Sequence, residues 1–151
     1  MMPGYWVRRV RVVATINIRN LGPEEAHILD RVRAGLSDAP LDPSQVWAYL
    51  ATRINELVVA LDAGEVVGFA CGTAVMHPNA PMAFMISNVV VHPDIRLQGI
   101  GTRLLRRLME LAEDRGCTHI WARASAENTA FNALAKSLGA QTTPGGQVHH
   151  W

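Results

Sequence analysis

The apolar positions of this 151-residue chain change period several times, and each change marks an element. Val89-Val90-Val91 is an unbroken apolar run, which suits a strand covered on both faces. His92-Pro93 ends it, because proline has no N–H to give to a ladder. Beyond Gly101, Leu104, Leu105, Leu108, Leu111 and Ala112 recur at the spacing of one helix face. Arg103, Arg106, Arg107, Glu110 and Glu113 take the other face, and Gly116 suits a left-handed end to that helix.

The rest of the chain reads in order around this strand–turn–helix unit. Arg8-Arg9-Val10-Arg11 alternates basic with apolar residues, as a solvated edge extension or arm would. Thr15-Ile16-Asn17-Ile18-Arg19 alternates at period two and predicts a first strand. Gly22-Pro23-Glu24-Glu25 opens a helix whose apolar positions Ala26, Ile28, Leu29, Val32 and Leu36 keep helical spacing until Asp38-Ala39-Pro40. Asp42 is an N-cap ahead of Pro43, and a second helix runs through Val46, Trp47, Leu50 and Ile54. Strands over 57–61 and 65–70 flank the hairpin connection Asp62-Ala63-Gly64. A loop over 77–81 leads into a strand over 82–91. After the central helix come a strand over 118–122 and a helix over 127–138 closed by Gly139. At most two short strands then surround Pro144-Gly145-Gly146. This order predicts a mixed α/β (α+β) sheet with helices packed on it.

Composition narrows the class. The length suits one domain over 1–151. The net charge of +1 gives no basic field that would point to nucleic acid. Cys71 and Cys117 form neither a disulfide framework nor a metal spacing, and read as buried reduced thiols of a cytoplasmic protein. No apolar run approaches the ~20 residues of a membrane span. Residues 7–14 carry charges without a long apolar core, so they read as neither signal nor transit peptide.

The candidate chemistry lies in Arg96-Leu97-Gln98-Gly99-Ile100-Gly101, a glycine turn at a helix N-terminus. N–H groups there lack intrahelical partners and sit at the positive end of the dipole. Glycine lets such a backbone approach a phosphate closely. A triphosphate P-loop needs Lys-Ser/Thr after its second glycine, whereas Thr102-Arg103 follows here. A dinucleotide fingerprint needs a third glycine where Leu104 stands. The turn, placed after Val91-His92-Pro93, instead resembles the acyl-coenzyme A motif of the GNAT N-acetyltransferase superfamily, Arg/Gln-x-x-Gly-x-Gly/Ala. Glu65-Val66-Val67-Gly68-Phe69 resembles that family's third strand, and Asn128 with Gly139 eleven residues on resembles its last helix.

The resemblance implies a mainly antiparallel sheet flanked by about four helices, with one parallel strand pair splayed apart to take the pantetheine arm. It implies acetyl-CoA as cosubstrate, no metal, an amine acceptor, no nucleic acid or membrane partner, and a homodimer as the common state. Carried onto this chain, backbone N–H groups of Val89, Val90 and Val91 would hold the pantetheine amides and the thioester carbonyl. The turn of Leu97, Gln98, Gly99, Ile100, Gly101 and Thr102 would hold the pyrophosphate. Arg96 and Arg103 would add charge, and Asn128 would reach the pantetheine arm, the alternative being a first-turn polar residue of a helix N-capped by Ser125.

The proton-handling half of the motif departs from the family. A Glu or Asp often stands one or two residues before the position of Val89, where this chain has Ser87 and Asn88. A tyrosine often stands where Ala135 lies. Phe131 replaces a common small residue, and Gly139-Ala140 a common Gly-Phe. Ser87 and Asn88 can polarise or hold water, as can His77, but the two do not titrate usefully near neutrality. Deprotonating a lysine-like amine at pH 7 costs about 4–5 kcal/mol and an α-amine about 1 kcal/mol. A low-pKa amine is therefore the expected acceptor. His92 reads as a solvent-facing turn residue. His149-His150-Trp151 reads as a terminal strand with alternating sides, and Trp47 and Tyr49 as acceptor-lining or core residues. The expected function is direct acetyl transfer to a primary amine of a small molecule or peptide, the alternative a degenerate acyl-CoA sensor or interaction module. Ile18-Arg19-x-Leu21-Gly22-Pro23 faintly resembles aminoglycoside 3-N-acetyltransferases.

Overall fold

The computed structural model describes residues 15–143 and 148–151. The Arg8–Arg11 arm, the 7–14 segment and the Pro144-Gly145-Gly146 turn lie outside the described residues. Among the described residues seven strands form one sheet: β1 (Asn17–Asn20), β2 (Asn55–Asp62), β3 (Glu65–His77), β4 (Ala80–Val91), β5 (His119–Arg123), β6 (Gln141–Thr142) and β7 (Val148–His150). Their order is β1-β2-β3-β4-β5-β7-β6. Every neighbouring pair is antiparallel except β4 and β5.

Helices α1 (Pro43–Ala51), α2 (Ile100–Asp114) and α3 (Thr129–Ser137) flank the sheet, with a 3-10 helix over Pro23–Asp30. The mixed, mainly antiparallel sheet with one parallel pair is the architecture expected from the order of elements. Two apolar layers result. Leu104, Leu105, Leu108 and Ala112 of α2 pack on Val58, Ala60, Val67, Ala70, Phe84 and Ile86. On the opposite face, Leu29, Leu36 and Leu50 cover Leu57, Val59, Leu61 and Val66. At Gly68 a Cβ would stand 3.0 Å from Val90 O and 3.2 Å from Leu104 Cδ1, so glycine lets α2 settle onto β3.

The first predicted helix does not run to Leu36. It is a 3-10 helix that ends at Asp30, and the chain then pairs with β3: Val66 N–H donates to Arg31 O, and Arg33 N–H to Val66 O. The Arg33 guanidinium bonds Glu65 at 2.5 Å and Asp62 at 3.1 Å. Sheet pairing and two carboxylates outweigh helical spacing here. The first strand starts at Asn17 rather than Thr15. The second helix stops at Ala51, short of Ile54, because Thr52 Oγ1 and Asn55 Nδ2 donate to Ala48 O and Tyr49 O. β3 continues to His77, and β4 begins at Ala80, inside the expected loop.

Candidate active site

β4 and β5 pair only along 83–86 against 119–122. Beyond Ile86 the two strands part, and no strand pairs with that edge of β4 among the described residues. β4 keeps β3 on its other side, but with a shift: Ile86 faces Gly72 and Asn88 faces Cys71, so Ser87 is the extra residue of a bulge. The bulge lies where the gap opens.

The ladder divides the three valines between the two edges. His92 N–H donates to Val67 O at 2.8 Å, so alternation turns the polar groups of Val90 toward β3 and those of Val89 and Val91 toward the gap. Arg96 Nε on Val91 O, at 3.2 Å, agrees with this direction. All three valines are half-buried rather than covered on both faces, because the gap leaves one side open.

The turn after β4 carries its own strain. Leu97 has φ +64°, a left-handed conformation costly for a residue with a Cβ, and its side chain is fully exposed. Gly99 has φ +77° and caps α2 with no side-chain hydrogen bond. The N–H groups of Ile100, Gly101 and Thr102 thus have no internal cap and are available to an anion. A Cβ at Gly101 would meet Leu134 Cδ2 at 3.4 Å and Val91 Cγ2 at 3.7 Å, so this residue sits where α2, α3 and β4 converge. Gln98 is half-buried in the turn and Arg96 is exposed beside it. Arg103 does not simply face solvent: it donates to Ile16 O at 2.9 Å and ties α2 to the chain before β1.

On the α1 side of the sheet, Asn88 and Ser87 are exposed at the mouth of the gap. Cys71 lies opposite Asn88 and packs with Tyr49, Phe69 and Val90. Burial pushes the Cys71 thiol up, against hydrogen bonds from Tyr49 and the Asn88 N–H that favour the thiolate. Burial also pushes the Tyr49 phenol well above its usual value. Tyr49 Oη lies 2.8 Å from Gly72 O and 3.0 Å from Glu56 O, so its proton pins α1 to β2 and β3. Trp47 is not core: it is 59% exposed, beside a cleft of about 190 Å³ shared with His27, Asp30, Leu41 and Val46.

His92 differs from its solvent-facing reading. His92 is buried: Nε2 donates to Ala34 O at 2.8 Å and Nδ1 accepts from Asp94 N–H at 3.2 Å. These partners make His92 a brace between β4 and residues 34–35. His149 is buried on the α3 side, between Asn132 Oδ1 at 2.7 Å and Thr142 Oγ1 at 3.0 Å, whereas His150 faces His119 across the sheet's other surface. The terminal strand thus alternates sides as its sequence predicts. His77 stands far from Ser87, on an open sheet face with Ala83, His119, Trp121 and His150. Among the described residues no three His, Cys, Asp or Glu side chains come together as a metal ion would need.

Asn128, not Ser125, is the N-cap of α3: its Oδ1 accepts from Phe131 N–H at 3.2 Å. Its amide NH2 remains to face a ligand. Ala135 is fully buried in the core and offers no proton. One residue escaped sequence reasoning. Arg123 ends β5, next after Ala122, which pairs with the last joined residue of β4. Ile120 and Ala122 are buried on the α2 side, so alternation turns Arg123 toward the α1 side, where Asn88 lies. Its guanidinium is exposed and has no hydrogen bond or ion pair among the described residues. A lone arginine closing an apolar strand was the available signal.

The chain is 33% identical over 110 residues to the L-2,4-diaminobutyric acid acetyltransferase of Nocardia farcinica, covering 68% of this chain and 56% of that one. It is 32% identical over 106 residues to the N-alpha-acetyltransferase RimI of Mycobacterium tuberculosis, covering 70% and 65%. The chain thus spans a little over half to about two thirds of the length of these relatives. Among solved structures, the aminoglycoside N-acetyltransferase AAC(6')-Iy in complex with CoA superposes with TM-score 0.71 at 19% identity, covering 85% of this chain and 90% of that one. This likeness is one of fold. A profile of the acetyltransferase (GNAT) family matches residues 25–140, and the chain belongs to that family.

Proposed function

We propose that this protein is an acetyl-CoA-dependent N-acetyltransferase, residues 1–151 forming one acetyltransferase-like domain. The observation that carries the reading is the free edge of β4 beside the uncapped N-terminus of α2. Acetyl-CoA fits this arrangement: a pyrophosphate suits three unsatisfied N–H groups, and an extended amide chain suits an unpaired strand edge. It supplies the activated acetyl thioester. Gly99, Ile100, Gly101 and Thr102 bind its phosphates, with Gln98 and the Arg96 guanidinium at the rim. Val89 and Val91 bind the amides and polarise the carbonyl from the gap-facing edge, and the Asn128 NH2 steadies the arm. Arg103 adds positive potential while anchored to Ile16 O.

The acceptor reaches the gap from the α1 side, past Asn88 and Ser87. Its nitrogen forms the new C–N bond as the C–S bond breaks. Neither Ser87 nor Asn88 accepts a proton at neutrality, so they orient the amine or a water that carries its proton away. Position 135 has no donor, so the leaving thiolate is protonated by water. Losing a positioned acid or base lowers rates by roughly 10²–10⁴, which proximity and polarisation can offset. The relatives' names span an amino acid, a protein α-amine and aminoglycosides as amine sources. A low-pKa amine fits a site without a carboxylate base. We further propose a cytoplasmic homodimer with no nucleic-acid or membrane partner; no helix among the described residues is long and apolar enough to cross a membrane.

The test is thiol release from acetyl-CoA with a panel of amino acids, N-terminal peptides, alkylamines and aminoglycosides, beside calorimetry with coenzyme A. Amine-dependent release supports the reading. Coenzyme binding without release from any amine overturns the enzyme, and absence of binding overturns the site.

A further inference from the structure

The strands that flank the gap carry few acids; Glu127, exposed in the segment after β5, and the acids of the 3-10 helix lie outside them. β4, β5 and β7 contain no Asp or Glu, and the one acid of β3, Glu65, lies beyond the Gly68–Val91 pair, six residues from Cys71, with its carboxylate on Arg33. Residues 1–14 and 144–147 contain none either. The charged side chain that the sheet does place at the mouth is Arg123, one residue past the last β4–β5 pair and on the same side as Asn88. It has no partner among the described residues. His119 and His150 extend the same surface away from it, with His77 at the far rim. A polycationic acceptor would meet a guanidinium there and no strand carboxylate, which like-charge repulsion opposes.

We propose that Arg123 recognises a carboxylate on the acceptor, so that the substrate is an amine carrying an acidic group close to its nitrogen. This rests on the N-acetyltransferase reading above. Arginine suits the task because its planar fork binds a carboxylate through two parallel N–H bonds and stays charged at every working pH. The anionic group can belong to a free amino acid or to an acidic residue near a peptide N-terminus; the chemistry at Arg123 is the same.

The experiment compares matched acceptors on the full chain. One arm sets a free amino acid against its own amide. The other sets two peptides that differ only in aspartate against asparagine at the second position. The expected result is a kcat/KM at least ten-fold higher for the acid in one arm or both, and the favoured arm names the source. Arg123→Ala is expected to collapse that ratio toward one while KM for acetyl-CoA stays unchanged, and Arg123→Lys to keep part of it. Arg123→Glu is expected to invert the preference toward cationic acceptors. If amines are acetylated with no acid preference in either arm, or if Arg123→Ala leaves the ratio intact, the proposal fails while the N-acetyltransferase reading stands. If no amine releases thiol, it is that earlier reading that has failed.

Discussion

The ring of Phe84 lies directly against the backbone of Gly72: a Cβ on Gly72 would overlap Phe84 Cε1 and stand 2.6 Å from Met85 O. Phe84 is fully buried and Met85 O is backbone, so neither can yield cheaply. The contact lies at the register shift that makes Ser87 the extra residue of β4. Gly72→Ala is therefore expected to destabilise the fold by about 1–3 kcal/mol, the range of forced overpacking. Urea unfolding of the variant measures this. A change below about 0.5 kcal/mol would mean that the sheet shifts freely at the bulge.

The two glycines of the phosphate turn are expected to separate in their effects. Gly99 needs its left-handed φ of +77° and has nothing within 4 Å of a Cβ, so Gly99→Ala costs roughly 1 kcal/mol or more through the backbone alone. It also disturbs the cap of α2, and coenzyme A affinity is expected to fall about ten-fold or more. A Cβ at Gly101 makes only ordinary contacts, and alanine favours a helix over glycine by up to ~1 kcal/mol. Gly101→Ala is expected to hold stability and affinity within a factor of about three. Calorimetry with coenzyme A and a thermal melt compare the pair.

Much of the central unit was legible from sequence because a single period governs each piece. The α2 face from Leu104 to Ala112 and the turn glycines obey local rules. The first helix was less legible: Ala26 to Leu36 has helical spacing, but Val66 and the carboxylates of Asp62 and Glu65 draw residues 31–33 into sheet pairing, and those partners are about thirty residues away. The bulge at Ser87 is set by the strand opposite, which β4's own residues do not reveal. His92 looked exposed because its acceptor, Ala34 O, is 58 residues distant. Arg123 gained meaning only once β4 and β5 were seen to part at Ile86.

Tyr49 and Cys71 bear on alkaline stability. Burial raises both above their ordinary values, so the folded state keeps protons that the unfolded chain releases. Each stabilising contribution is fully present below the unfolded value, about 8.5 for Cys and about 10 for Tyr, and is lost as pH rises above it. Stability is expected to decline from about pH 8.5 and more steeply above about pH 10. Burial raises the Cys117 thiol as well, so Cys71→Ala shrinks the first part of the decline without abolishing it. Tyr49→Phe removes the second, at a cost near 1–2 kcal/mol at pH 7 for the carbonyls of Gly72 and Glu56. Urea midpoints between pH 7 and 11 for the three proteins check this. A flat profile for the parent protein would contradict it.

The pH dependence of turnover separates a site without a base from one whose base has been overlooked. Ser87 and Asn88 stand where a titrating carboxylate would act, and His77 lies on a separate sheet face. With no enzyme group taking the amine's proton, kcat/KM follows the fraction of acceptor that arrives neutral. The rising limb then has its midpoint near the amine's own pKa, and moves with it. Two acceptors of like shape, one an α-amine near ~7.8 and one a side-chain amine near ~10.4, are expected to show midpoints about two to three pH units apart. Installing a carboxylate by Asn88→Asp adds a second, lower inflection and raises the rate at neutral pH for the more basic amine, by up to ~10² if the geometry suits. A midpoint that stays fixed while the amine changes would reveal a titrating enzyme group. It would send the search for the base to the 3-10 helix and α1, where Asp30 and His27 border the Trp47 cleft.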